Sequence, residues 1–189
     1  MEPRIVARLT RDLFGGDPKI RQHHNDDASL QLHILRSLDR PQAGVTSYAT
    51  VDLSTFDNQL NAADGRPIRV ELLAACQRDF TAMEDVVASC ALNVATRDYS
   101  ATPDIVMPDV IKQHEPQVRA KHALLTTPFT WGDGPPVVEE ADRVTTWLQL
   151  VPVMDSEFLL VRHEGTKALI QRFEQAQIDI YDINRPAVV

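Results

Sequence analysis

The first periodic stretch of the chain steps by three and four. Ile5, Val6, Leu9 and Leu13 fall on one face between Arg4 and Phe14, and Gly15-Gly16 follows as a stop, so the spacing predicts an opening helix. From Leu30 the period changes to two: Leu30, Leu32 and Ile34 alternate with Gln31 and His33, the pattern of a strand with one buried side. The same alternation sets Val45, Ala49, Val51 and Leu53 against Thr46, Tyr48, Thr50 and Asp52, and Ile68, Val70, Leu72 and Ala74 against Arg69 and Glu71. Asp39-Arg40-Pro41 and Asp64-Gly65-Arg66-Pro67 supply turn chemistry between these runs, which together predict an antiparallel meander.

Thr81-Ala82-Met83-Glu84 fits a capping box, and Met83, Val86, Val87, Cys90, Ala91 and Val94 then form a broad helical face suited to cover a sheet. Residues 99–119 carry Pro103, Pro108 and Pro116 and predict a loop with short extended pieces. His122–Thr127 and Thr145–Val153 predict strands, the second nearly continuous in apolar residues and therefore central, joined through a turn at Trp131–Pro136. Asp155 or Ser156 is placed to cap a short helix that Gly165 ends, and Thr166 to cap another with Leu169, Phe173 and Ala176 inward. The tail from Ile178 to Val189 predicts a last extended segment. Strands and helices come in groups, which points to an α+β fold: a mixed, largely antiparallel sheet with helices packed on it.

The chain has 189 residues, with 43% apolar and 24% charged positions, enough to bury one core and close to globular averages. The formal charge is −8 and falls mostly within 41–110, with no basic face for nucleic acid, so the expected partner is a basic or neutral protein. No run suits a membrane span, the N-terminus lacks the apolar run of a secretory signal, and Asn-x-Ser/Thr is absent; these predict a cytoplasmic protein with no membrane contact.

The six histidines show no i, i+4 pair that would grip a metal on one helix face. His33 and His122 stand on predicted strands and are placed to meet across the sheet, which with Glu71 makes a minor hydrolase reading. Cys76 and Cys90 fall on inward positions and behave as small hydrophobes. Nucleotide-binding glycine motifs, a P-loop lysine motif and a G-x-S-x-G elbow do not occur, so no cofactor, metal or catalytic residue is expected. Asp26-Asp27, Glu139-Glu140 and Asp142 fall in predicted loops, either as solvated surface or as an acidic patch able to steer a cationic partner, and Asp57, Asp64, Asp133, Glu139 and Glu140 are the acids placed to crowd a cationic site on that partner. Trp131, in its Gly/Pro turn, either pins the loop to the core or anchors an interface. Tyr48, Asp52 and Glu71 occupy the polar parity of their strands, available there to a groove or an added strand.

Gly44–Ser54, Arg69–Leu73, His122–Phe129, Thr146–Val153, Asp155-Ser156-Glu157, Gly165 and Ile178–Pro186 together resemble the suppressor-of-fused (SUFU) domain in order and spacing. The resemblance covers residues 28–189 as a single compact unit and leaves 1–27 as a helix with a variable extension. It implies a binding module, not an enzyme. Bacterial members often serve as cytosolic immunity proteins against a cognate toxin. In animals a SUFU domain with a second domain holds a peptide as an added strand. The resulting expectation is a monomeric or weakly dimeric immunity protein that neutralises a toxin, with a general adaptor as the alternative.

Overall fold

The computed structural model describes residues 2–189. Pro3 fixes φ for the first turn of α1 (Pro3–Phe14), and Gly15, at a φ of 67°, returns its N–H to the Arg11 carbonyl at 2.8 Å. The chain then forms β1 (Lys19–His24), β2 (Gln31–Leu38), β3 (Val45–Thr50), β4 (Ile68–Gln77) and α2 (Met83–Ala95). After these come β5 (Val106–Met107), β6 (Ala120–Thr126), β7 (Val138–Glu139), β8 (Val144–Met154), α3 (Asp155–Glu164) and α4 (Thr166–Ala176).

One sheet holds all eight strands, in the order β1-β2-β3-β4-β8-β6-β5, with β7 beside the start of β8. The meander β2-β3-β4 is antiparallel as its turns predict, and β6 is antiparallel to β8. β8 runs parallel to β4, from Ile68 opposite Val144 to Ala74 opposite Leu150. The continuous apolar sequence of β8 follows from that central place. β1 was not visible in the hydrophobic pattern. Lys-Ile-Arg-Gln-His-His is an exposed edge strand with no apolar side to bury.

Helices cover both faces. On one, α2 lays Val86, Val87, Cys90, Ala91 and Val94 over Leu32, Ile34, Val70, Leu72 and Leu148. Full burial of each larger aliphatic side chain contributes about 1.5–3 kcal/mol. On the other, α1 and Trp131 cover Leu35, Ala49, Leu73 and Trp147, while α3 and α4 cover Leu124, Val151 and Val153. Two-sided coverage corrects the expectation that Tyr48 and Glu71 face solvent: they are 2% and 0% exposed.

The helix ends differ in detail from the sequence pattern. No side chain caps α2, because the cap position falls on Ala82 and not on Thr81, and Glu84 turns to Arg21, His23 and Arg36, at 3.7, 3.2 and 3.5 Å. Burial presses the Glu84 carboxyl upward, but these cations outweigh it and hold the group below the ordinary glutamate range. That knot ties β1 and β2 to α2. At α3 the cap comes from Glu157, which accepts the Met154 N–H at 3.0 Å, and not from Asp155 or Ser156. Thr166 begins α4 without a side-chain cap.

The C-terminal tail contains no strand and is held by a buried ion pair. Arg185, 3% exposed, meets both oxygens of fully buried Glu157 at 2.6 and 2.9 Å, donates to the Pro152 carbonyl at 3.1 Å and lies over the Phe173 ring at 4.8 Å. Glu157 also accepts the Val188 N–H at 3.1 Å. One carboxylate thereby fastens β8, α3 and the tail. Arg185→Ala strands that carboxylate among apolar groups and is expected to cost about 3–5 kcal/mol. Urea unfolding checks it; a loss below about 1 kcal/mol would show that the pair does not hold the tail.

Candidate acidic binding face

Because β4 and β8 are parallel, the segments that precede them emerge at the same end of the sheet. Residues 51–67 and 127–143 gather there beside the β1–β2 turn and the segment 96–105 that follows α2. These four segments carry eleven acidic and three basic side chains, a net charge equal to that of the whole chain. The remaining sequence is balanced. The pole is thus assembled by topology from acids both inside 41–110 (Asp52, Asp57, Asp64, Asp98, Asp104) and outside it (Asp26, Asp27, Asp133, Glu139, Glu140, Asp142).

Several of these carboxylates are engaged internally. Arg66 donates to Asp64 at 2.7 Å, to Glu139 at 3.0 Å and to the Glu140 carbonyl at 2.8 Å, which joins the loop before β4 to β7. Hydrogen bonding from Arg66 draws the Asp64 carboxyl below its usual range. Asp57 lies between Arg69, at 3.2 Å, and Arg97, at 3.3 Å. Arg143 meets Asp142 at 2.8 Å and stands 3.9 Å from Glu140. Asp133 is exposed in the loop. Arg66 and Arg143 are each shared by two acids, whereas Asp57 is matched by two arginines; with eleven acids to three basic side chains in these segments, the pole keeps a negative field while its loops are tied in place.

A polar core shapes this end from beneath. Glu71 accepts the Thr50 hydroxyl, the Leu53 N–H at 3.2 Å and the Ser54 N–H at 3.0 Å, and so caps the 3₁₀ turn Leu53–Thr55. Asp52, just before that turn, accepts the His33 N–H at 2.9 Å and meets His33 Nδ1 at 2.7 Å. Glu71 and Asp52 are thus loop-positioning residues, and Glu71 is not a contact for a partner. Tyr48 lies under α2 and is withdrawn from partner contact as well, with burial pushing its phenol above the ordinary range. Trp131 is the pin: its indole N–H donates to Ser47 Oγ at 3.0 Å and its ring stacks on Phe14 with centroids 5.1 Å apart. At 6% exposure it anchors its own loop.

The residues of the hydrolase reading lie apart. Three strands separate β2 from β6, a sideways gap of about 19 Å, and the register sets His33 level with Trp147 but His122 opposite Val153, so the two histidines are also displaced along the strands. His122 is packed on Phe158, accepts the Asp109 N–H at 2.9 Å and meets Asp155 at 3.0 Å. Burial pushes the thiols of Cys76 and Cys90 up to about 12, which leaves them protonated. Among the described residues no group of three or more His, Cys, Asp or Glu side chains is arranged to hold a metal.

The fold is an α+β sheet covered on both faces, with its acidic loops pinned at one pole. The chain belongs to the suppressor-of-fused family: the model described as "Suppressor of fused protein (SUFU)" matches residues 28–186. It is 31% identical to "Immunity protein YqcF" of Bacillus subtilis (strain 168) over 189 residues, covering 100% of this chain and 97% of that one. Among solved structures, a SUFU homologue from Neisseria gonorrhoeae FA 1090 superposes with a TM-score of 0.75 at 15% identity, over 99% of this chain and 96% of the other. A chain of the Sufu-Fu complex gives 0.66 at 11% identity, over 98% and 91%.

Burial raises the Glu71 carboxyl from 4.5 to about 7, against the hydrogen bonds from Thr50 and Ser54. The folded chain then binds this proton more tightly than the unfolded one, so the stabilisation is complete below pH 4.5 and is lost as the pH rises through 7. Glu71→Gln is expected to remove a decline of up to about 3 kcal/mol between pH 5 and 8. Urea midpoints across that range check it; parallel profiles for the variant and the unaltered chain would contradict it.

Proposed function

We propose that this chain is a cytosolic immunity protein, which binds a cognate toxin of basic character in a stoichiometric complex and performs no chemistry of its own. The observation that carries this reading is the relative named as an immunity protein, similar over the whole of both chains. The acidic pole supports it: a cationic effector is drawn to a negative field, which raises the association rate more than the final affinity. The solved SUFU–Fu complex supports a protein partner for this fold. His122 lies far from His33 and Glu71, which are themselves committed to Asp52 and to the Leu53–Thr55 turn, and this supports inhibition by coverage.

An adaptor that accepts an added strand is the second reading, and β1 favours it. Among the described residues its outer edge has no neighbouring strand, and the strand itself holds Lys19, Arg21, His23 and His24 and no acid, although Arg21 and His23 meet Glu84 of α2 and Lys19 meets Asp17. An acidic extended segment would suit that edge, whereas a basic toxin suits the opposite charge at the loops. The sign of the partner therefore separates the two.

The test of immunity is co-expression with the toxic C-terminal domain encoded by a neighbouring gene. Growth is expected to recover with this chain present, and failure to bind that domain would end the proposal. For the purified pair, the association rate should fall at least about tenfold from 0.05 to 0.5 M salt, since exposed charges are screened over about 8 Å at physiological ionic strength. A rate indifferent to salt would remove electrostatic steering.

A further inference from the structure

With Trp131 withdrawn into the core, the interface anchor expected of this loop falls to another residue. Seven large apolar side chains are exposed among the described residues, and two of them, Phe129 at 55% and Val137 at 58%, sit in this one loop. Their exposure follows from how the loop is held. Gln149, buried on β8, accepts the N–H groups of Phe129 and Thr130 at 3.1 and 3.2 Å and donates to Thr130 Oγ1 at 2.6 Å. Two residues on, the Trp131 ring is drawn under the loop against Phe14 and Ser47. A backbone fixed at 129–131 with the indole inward leaves the Phe129 ring outward on a rigid mount, as a binding anchor requires.

Each apolar side chain borders a groove. Phe129 flanks one of about 430 Å³ between the sheet and α4, walled by Leu124, Val151, Ile170 and Phe173, with Glu174 as its carboxylate. Val137 flanks another of about 390 Å³ beside the starts of β4 and β8, walled by Leu60, Ile68 and Leu148, with Asp133 as its carboxylate. Both volumes suit one or two side chains. The groove beneath α4 adjoins the acidic pole through Phe129 and draws its carboxylate, Glu174, from α4; an apolar centre with acidic groups at its margin selects one occupant. That occupant is a cationic protein surface with an aliphatic or aromatic side chain set among lysines or arginines.

We propose that Phe129 and the groove beneath α4 form the anchor of the interface: they take an apolar side chain of the basic partner while Glu174 and Asp133 meet its flanking cations. The proposal rests on the reading of this pole as the surface for a basic protein and adds where the contact is centred. A second copy of this chain is disfavoured as occupant, since it would bring one acidic pole against another.

The probes are three peptides: Lys-Arg-Lys-Leu-Lys-Arg-Lys, the same peptide with serine in place of leucine, and Glu-Asp-Glu-Leu-Glu-Asp-Glu. Each is titrated into the ¹⁵N-labelled full chain at low salt, with amide shifts as the readout. The leucine peptide should move the resonances of Phe129, Ile170, Phe173 and Asp133 and bind about tenfold more tightly than its serine counterpart. The acidic peptide should not bind. Phe129→Ala, which truncates an exposed side chain and leaves the melting temperature unchanged, should make the two basic peptides equal. Equal affinity of both basic peptides for the unaltered chain, or shifts confined to other regions, overturns the anchor and leaves the charge reading standing. If neither basic peptide binds, both fall.

Discussion

The parallel pairing of β4 with β8 is the constraint from which the binding face follows. In an all-antiparallel meander the loops before successive strands alternate between the two ends of the sheet. Here Ile68 lies opposite Val144, so the connections entering β4 and β8 emerge together. They bring Asp52, Asp57 and Asp64 next to Asp133, Glu139 and Glu140, which are some seventy residues away in sequence. Arg66 then joins the two groups through Asp64 and Glu139. Without that one parallel register the same charges would be divided between opposite poles, and their fields would not add.

Covering both faces of such a sheet leaves its polar side chains little access to water; among the described residues the Thr145 hydroxyl and the Trp147 indole stay without a partner, while three longer side chains are given full partner sets. Glu71 is turned to capping a 3₁₀ turn, Gln149 to holding the loop at Phe129 and Thr130, and Glu157 to receiving Arg185. These buried groups sit at the junctions between the sheet and the segments that decorate it. Buried polar groups with fully assigned partners specify one arrangement over others. The buried polar groups therefore position the segments at the surface.

Much of this architecture was legible from periodicity. α1, the β2-β3-β4 meander, the apolar face of α2, the central place of β8 and the two C-terminal helices follow from steps of two and of three to four, because burial imposes those steps directly. Three features were not legible, each for a physical reason. β1 buries no side and so has no apolar period. The tail is held by Arg185 and backbone contacts, and alternation along Ile178–Ile183 looks the same whether or not a strand forms. Tyr48 and Glu71 fall on the polar parity because alternation reports two faces but not whether both are covered, and Trp131, in a turn with no periodicity, reads equally as pin or anchor until its burial decides for the pin. The acidic loops could be named from composition, but their convergence could not, since the register of β4 against β8 is set by tertiary pairing between segments far apart in sequence. Phe129 carried no signal beside a tryptophan two residues away, and only the inward turn of that tryptophan brings it forward.

The account holds that the chain works by presenting one pole to a macromolecule. Hydrogen–deuterium exchange on the full chain, free and in complex with the partner that restores growth, tests this most directly. Protection is predicted within residues 51–67 and 127–143, with the β1 edge at 19–24 and the opposite end at 38–45 unchanged. Protection confined to β1 or to that opposite end, with both acidic loops exchanging as in the free chain, would contradict it.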